Sequence, residues 1–177
     1  MTERYEIRLS GEGGQGLVLA GKILAEAAAL YDGKNATQSQ SYGPEARGGA
    51  SRSDVIISDG EIDYPKAMNL DILLALTQES VDKYIGNLKP GGVLVVESDS
   101  VHDVPEGDFK VVKVPILRTA REEVGKSIVA NMVALGVITK ITGVVSQEAA
   151  ENAILNRVPK GTQEINLKAF RLGREKV

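Results

Sequence analysis

A chain of 177 residues that is 42% hydrophobic has the size of one ordinary domain, residues 1–177, and enough apolar material for a substantial core. Its net charge of −3 and pI near 5.3 give no general attraction to nucleic acid or to an anionic membrane surface, so neither is an expected partner. Cysteine is absent, which excludes disulfides and any thiolate-held iron–sulfur cluster on this chain. No apolar run reaches the roughly 20 residues that span a bilayer, and Met1-Thr2-Glu3-Arg4 is no signal peptide; the expected location is cytoplasmic.

The first element is an alternating strand, Tyr5 to Leu9, followed by the turn Ser10-Gly11-Glu12-Gly13-Gly14-Gln15-Gly16 and a helix over Leu17 to Tyr31. Gly11, Gly13, Gly14 and Gly16 let a ligand or another chain approach bare backbone, and the free N–H groups at the helix start favour phosphate, carboxylate or a partner's carbonyls. The helix is expected to bury Leu17, Ala20, Leu24, Ala27, Ala28 and Tyr31, with Lys22 and Glu26 paired in water. Gly11, Gly13 and Gly16 fit the dinucleotide fingerprint. However, Asp32, near the distance for the ribose carboxylate, belongs to the turn Asp32-Gly33, and the stretch Asn35 to Ser41 has no acid. Gly16 to Lys22 matches part of a P-loop, but Ile23 stands where the magnesium-binding hydroxyl is needed.

Asn35 to Ser53 has almost nothing to bury and reads as a long binding loop ordered by Tyr42, Pro44 and Gly48-Gly49. Arg47 can give a forked pair of hydrogen bonds to an anion, or pair structurally with Glu45. Alternation resumes over Ser53 to Ser58, and Asp59-Gly60 has the composition of a hairpin turn leading to Ile62 and Tyr64. Asp71 to Leu76 is a buried strand, and Thr77 caps a helix that turns Val81, Tyr84, Ile85 and Leu88 inward. Lys89-Pro90-Gly91-Gly92 turns the chain into the buried strand Val93 to Val96, and Val111 to Val114 is expected to be buried too. His102 lies in the polar loop between them, and a single histidine without cysteine anchors no ordinary zinc site.

The last third reads as helical. Thr119-Ala120-Arg121-Glu122 has the form of a capping box, and Ser127 to Ile141 places Ile128, Met132, Leu135 and Ile138 on one face. Ser146 caps Gln147 to Val158, and Thr162 starts a helix with Ile165, Leu167, Phe170 and Leu172. Asn131 and Asn166 fall in or beside these apolar faces, where a buried amide must find partners. The sum is an α/β, Rossmann-like three-layer domain: a mostly parallel sheet, an antiparallel hairpin addition and a helical C-terminal third.

Together, the Gly11 to Gly16 loop, Tyr42-Gly43-Pro44-Glu45-Ala46-Arg47-Gly48-Gly49, Leu88-Lys89-Pro90-Gly91-Gly92, Asn131 with Leu135-Gly136, and Asn166 with Gly173 resemble the gamma subunit of the 2-oxoacid:ferredoxin oxidoreductases. The likeness runs nearly end to end and looks most like the 2-oxoglutarate branch, with pyruvate and branched-chain versions still open. It implies a complex that decarboxylates a 2-oxoacid, forms acyl-coenzyme A and reduces ferredoxin. Thiamine diphosphate, Mg and [4Fe-4S] clusters would sit on alpha, beta and delta companion subunits, and no cofactor would be held tightly by this chain alone. Ser58-Asp59-Gly60 lacks the leading glycine of a thiamine motif, consistent with that division. No catalytic residue is expected here. The candidate cofactor-binding or subunit-interface residues are Gly11, Gly13, Gly14, Gln15, Gly16, Tyr42, Glu45, Arg47, Gly48 and Gly49. The alternatives are a stand-alone NAD(P)- or adenylate-binding reductase and a regulatory module sensing a small anion or coenzyme A at the glycine loop.

Overall fold

Residues 4–42 and 50–177 are described in the computed structural model of the chain. Six strands form one sheet in the order β2-β3-β1-β4-β5-β6: β1 (Arg4–Glu12), β2 (Asn35–Tyr42), β3 (Ala50–Ser58), β4 (Leu70–Ala75), β5 (Leu88–Glu97) and β6 (Phe109–Val114). β1, β4, β5 and β6 pair in parallel, while β3 runs antiparallel to both of its neighbours, β1 and β2. The mostly parallel α/β architecture is as the sequence predicts. The antiparallel addition is differently placed, because β3 returns onto β2 and wedges between it and β1. The stretch after Asp59-Gly60 forms no strand at Ile62 or Tyr64.

That wedge explains the polar segment. Asn35–Tyr42 is a strand on the sheet edge, so its side chains need little burial. β6 holds the other edge, and its alternation leaves Val111 36% exposed, where a fully buried strand was expected. Lys89 to Gly92 swings out of the β4–β5 register at a bulge between the Leu70–Leu88 and Ile72–Val93 pairs, with Gly91 at φ 81.

Helices cover the sheet unequally. On one face, Ile7, Leu9, Val55, Ile57, Ile72, Leu74 and Val95 meet α1 (Leu17–Glu26), α4 (Ala130–Thr142), α5 (Gln147–Arg157) and α6 (Gln163–Glu175) in one core. On the other, Ile56, Leu70, Leu73, Leu94 and Val96 meet the short α2 (Gln78–Tyr84) through Val81 and Tyr84. Thr77 and Ser146 cap α2 and α5 as expected, each accepting a backbone N–H from the first turn.

α4 is buried all round from Ala130 to Thr139. Its crossing with α6 depends on two glycines: a Cβ on Gly136 would fall 2.1 Å from the Phe170 carbonyl oxygen, and one on Gly173 would fall 2.1 Å from that of Val133.

Several local expectations are corrected. Tyr31 ends a π-helical turn, Ala27–Tyr31, and is exposed. Glu26 pairs not with Lys22 but with Arg157 of α5, at 2.6 Å. The helix near Thr119 starts earlier, at Ile116 behind Pro115 (α3, Ile116–Arg118), and runs on as a π-helix to Val124. Thr119 is therefore interior to it, with a buried hydroxyl oxygen that has no partner among the described residues. Ile128 sits in a 3-10 turn, Ser127–Val129, that points it outward at 79% exposure. Asn166 bonds the Thr162 carbonyl of its own helix entry rather than a distant loop.

At the N-terminal end of β1, burial and then the nearby charge of Asp71 push the Tyr5 hydroxyl up to about 12. The folded chain keeps this proton above pH 10 while the unfolded chain sheds it, so stability falls as pH rises from 10 to 12. Urea titrations across that window should show this loss in the native protein and a smaller one in Tyr5→Phe.

Candidate functional site

α1 leaves β1 on one face of the sheet and runs toward the β2 edge, whereas α2 leaves β4 on the opposite face and leads toward β5. Chain directions therefore diverge between β1 and β4. In open α/β sheets, ligands sit at such a switch point, outside the carboxyl ends of the strands. The glycine loop occupies that place. Glu12, Gly13 and Gly14 are exposed at the C-terminal end of β1, beside Leu76, whose N–H donates to the Ser10 carbonyl at 2.9 Å.

The loop is held from inside. The Glu12 N–H donates to Gln15 Oε1 at 2.7 Å, and the Gln15 N–H donates back to the Glu12 carbonyl at 3.3 Å. Gly11 makes room for that amide, since a Cβ there would lie 2.2 Å from Gln15 Oε1. Gly16 caps α1 at φ 77, a backbone shape suited to glycine, and a side chain on it would strike Asn131 at 2.6 Å. Asn131 Nδ2 donates to the Gly16 carbonyl at 3.1 Å, which ties α4 to the loop; its Oδ1 is buried without a partner among the described residues. Gly14 is set by its φ of 89. Gly13 differs from the others. Its φ is ordinary and no atom of the described residues lies within 4 Å of a Cβ built there, so nothing among them requires glycine at position 13.

The second predicted loop begins and ends at the same place. Tyr42 pairs with Ser51, and Ala50 pairs with Glu12, so both flanks of residues 43–49 are fixed to strands whose ends adjoin the glycine loop. Ser51 Oγ donates to the Gly11 carbonyl at 3.3 Å, and Ser10 Oγ lies 2.9 Å from the Ser51 carbonyl. Glu45, Arg47, Gly48 and Gly49 themselves lie outside the described residues, as does the side chain of Tyr42.

Under this end of β3 is a buried charge network that the sequence reading missed. Arg8, 2% exposed, gives a forked pair to Asp54 at 2.7 and 3.0 Å. It also donates to Asn87 Oδ1 at 2.9 Å and lies 4.9 Å from the Tyr84 ring centre. Arg52, half-buried and one position after the loop-flanking pair Ser51–Gly11, lies 5.6 Å from the centre of the same ring. Only pairing across the sheet reveals these partners; no local motif marks them.

The arrangement is poorly suited to a dinucleotide. Asp32 binds the N–H and hydroxyl of Ser146 at 2.7 and 2.9 Å, and β2, which would carry the ribose contact, is separated from β1 by β3. The chain has no cysteine to hold a cluster, and no group of three or more metal-ligating side chains gathers among the described residues. His102 is held by its backbone, its N–H donating to Gln78 Oε1 at 2.9 Å. Among the described residues, no helix is long and apolar enough to cross a membrane.

The family model for pyruvate ferredoxin/flavodoxin oxidoreductase matches residues 6–176. The 2-oxoglutarate synthase subunit KorC of Methanocaldococcus jannaschii is 56% identical over 174 residues, which are 97% of this chain and 93% of that protein. The crystal structure of the keto/oxoacid ferredoxin oxidoreductase gamma subunit from Geobacter sulfurreducens superposes with a TM-score of 0.92 at 59% identity, covering 99% of this chain and 97% of that one. The 2-oxoglutarate:ferredoxin oxidoreductase of Magnetococcus marinus, solved with 2-oxoglutarate, coenzyme A and succinyl-CoA, shares the fold at 22% identity and a TM-score of 0.86. The match covers 99% of this chain but 31% of that longer one.

Proposed function

This chain belongs to the pyruvate ferredoxin/flavodoxin oxidoreductase family, and from that premise we propose that it is the gamma subunit of a complex oxidising 2-oxoglutarate to succinyl-coenzyme A and CO2, with ferredoxin as electron acceptor. The 2-oxoglutarate synthase and oxoacid oxidoreductase gamma relatives, each similar over nearly the whole chain, support that reading over a stand-alone reductase. Companion alpha, beta and delta subunits would carry thiamine diphosphate with Mg and the [4Fe-4S] clusters, which supply the carbon–carbon cleavage and the electron path.

This chain's own part is placement. The observation that carries it is Gly13, which is exposed at the sheet's switch point with nothing among the described residues within 4 Å of a Cβ built on it. Gly13 and Gly14 present backbone to an incoming polar group, either a companion's carbonyls or the phosphates of coenzyme A. The described flanks of residues 43–49, Tyr42 and Ala50, end at the same rim, which supports a role for Arg47, whose guanidinium would give that group a forked contact. Protein that positions a cofactor and excludes water needs no reactive side chain of its own.

The test is turnover, assembly and coenzyme A affinity of the assembled complex carrying Gly13→Val or Arg47→Ala. Gly13→Val has an unstrained backbone and meets none of the described residues, so the lone chain should keep its melting temperature. Turnover or coenzyme A affinity should drop about tenfold or more, because small misplacements near reacting groups are costly. Native values for both variants would overturn the proposal. Heat-shift screening of the lone chain with NAD(P) tests the rival reductase, and no rise in melting temperature is expected.

A further inference from the structure

Among the described residues, β2 pairs on one side only, so its outer edge presents unpaired backbone donors and acceptors. Sheets protect such edges with charge or proline, and β6 at the opposite edge carries Lys110 and Lys113. β2 has no charged residue and no proline from Asn35 to Tyr42. Beside its first half runs an open cleft of about 350 Å³ between Asn35, Ala36 and Thr37 and the segment Glu61, Ile62 and Asp63.

The wall of that cleft is fixed in place. Glu6 accepts the N–H groups of Met68 and Asn69 at 2.7 and 3.1 Å, Arg4 donates to the Lys66 carbonyl at 2.9 Å, and Asn35 donates to that of Gly60 at 2.7 Å. This pinned segment nevertheless exposes Tyr64 by 53% and Met68 by 55%, residue types enriched at protein interfaces. Asp59, Glu61 and Asp63 are exposed along it and form no ion pair among the described residues.

We infer that the β2 edge is a docking site for an extended segment of a companion subunit, added as a seventh strand, with Lys or Arg at the end that meets Glu61 and Asp63. The unpaired edge supplies the backbone ladder, and the acidic flank sets the sign of the partner's charge. In the Magnetococcus marinus enzyme the same fold is about a third of a longer chain, so it is built to have polypeptide neighbours. The cleft lies at the N-terminal end of β2, which runs in the same direction as β1. The surface is therefore at the opposite end of the sheet from the glycine loop.

The inference rests on the subunit reading, and the experiment separates the two. The chain is co-expressed with its companion subunits, and association is compared for the native sequence, Ser39→Lys/Gln40→Lys, Glu61→Lys/Asp63→Lys and Gly13→Val, alongside hydrogen exchange of β2 in the free and assembled forms. Both lysine pairs should weaken association about tenfold or more, with the lone chain's melting temperature within about 2 °C of native. Amides of residues 35–42 in the native complex should exchange more slowly than in the free chain.

Native association of both lysine pairs, with β2 exchange unchanged by assembly, overturns the inference and leaves the subunit reading standing. Failure of the native chain to associate overturns both. A dimer of the lone chain that the lysine pairs disperse assigns the edge to a second copy instead, and also overturns it.

Discussion

Asp54→Ala is expected to cost about 3–5 kcal/mol of folding stability, read as a lowered urea midpoint of the lone chain. The substitution leaves the Arg8 guanidinium, 2% exposed, without its counter-charge between two strands. Its remaining contacts, Asn87, the Ala67 carbonyl and the Tyr84 ring, are polar but carry no negative charge. Breaking one side of a buried pair costs far more than the pair is worth. The double variant Arg8→Met/Asp54→Leu should accordingly recover most of the loss, since an apolar replacement of similar size removes both desolvated charges. A loss below about 1 kcal/mol in the single variant would mean that water reaches Arg8.

The second large effect is steric. Gly173→Ala should destabilise by about 3 kcal/mol, at the upper end for overpacking, because the new methyl would meet backbone rather than a movable side chain. The Val133 carbonyl lies 2.1 Å from that Cβ position, and the Phe170 carbonyl stands equally close to the one on Gly136. The two helices can relieve either clash only by moving apart, which opens the core around Phe170 and Met132. Gly86→Ala is the control: nothing lies within 4 Å of its Cβ and its φ is ordinary, so thermal melts should show little change. Equal behaviour of the two variants would show that α4 and α6 are not packed backbone to backbone.

Elements whose signal is local were legible in the sequence. The strand, glycine turn and helix from Tyr5 to Tyr31, the buried run Asp71 to Leu76, and the caps at Thr77 and Ser146 each carry their instructions within a few residues. The glycine loop was legible for the same reason, but its tie to Asn131, 115 residues along the chain, was not: the sequence says only that a buried amide needs a partner. What failed depends on partners far along the chain. β2 looks like a loop because its edge position asks for no apolar face, and nothing within Asn35 to Tyr42 says that Ala50 to Ser58 will pair with it. Arg8 and Asp54 look like solvent-facing positions of half-buried strands until the sheet brings them together across 46 residues. Ile128 fits a helical stripe, but the chain enters that helix through a tighter 3-10 turn, which rotates the residue off the stripe. Thr119 matched a helix-start pattern one turn too late, because Pro115 had already begun the helix.

The order in which β1 finds its neighbours also bears on synthesis. β1 is made before both of the strands that flank it, β3 and β4, and the second of these ends only at Ala75. At about 5–20 residues per second, the 63 residues from Glu12 to Ala75 make β1 wait roughly 3–13 s for its parallel mate. The helix that seals the larger face, α4, follows later still, from Ala130. Of α1, α4, α5 and α6, only α1 covers the larger face until α4 is made, so apolar surface of the nascent chain stays open longest where the other three will pack.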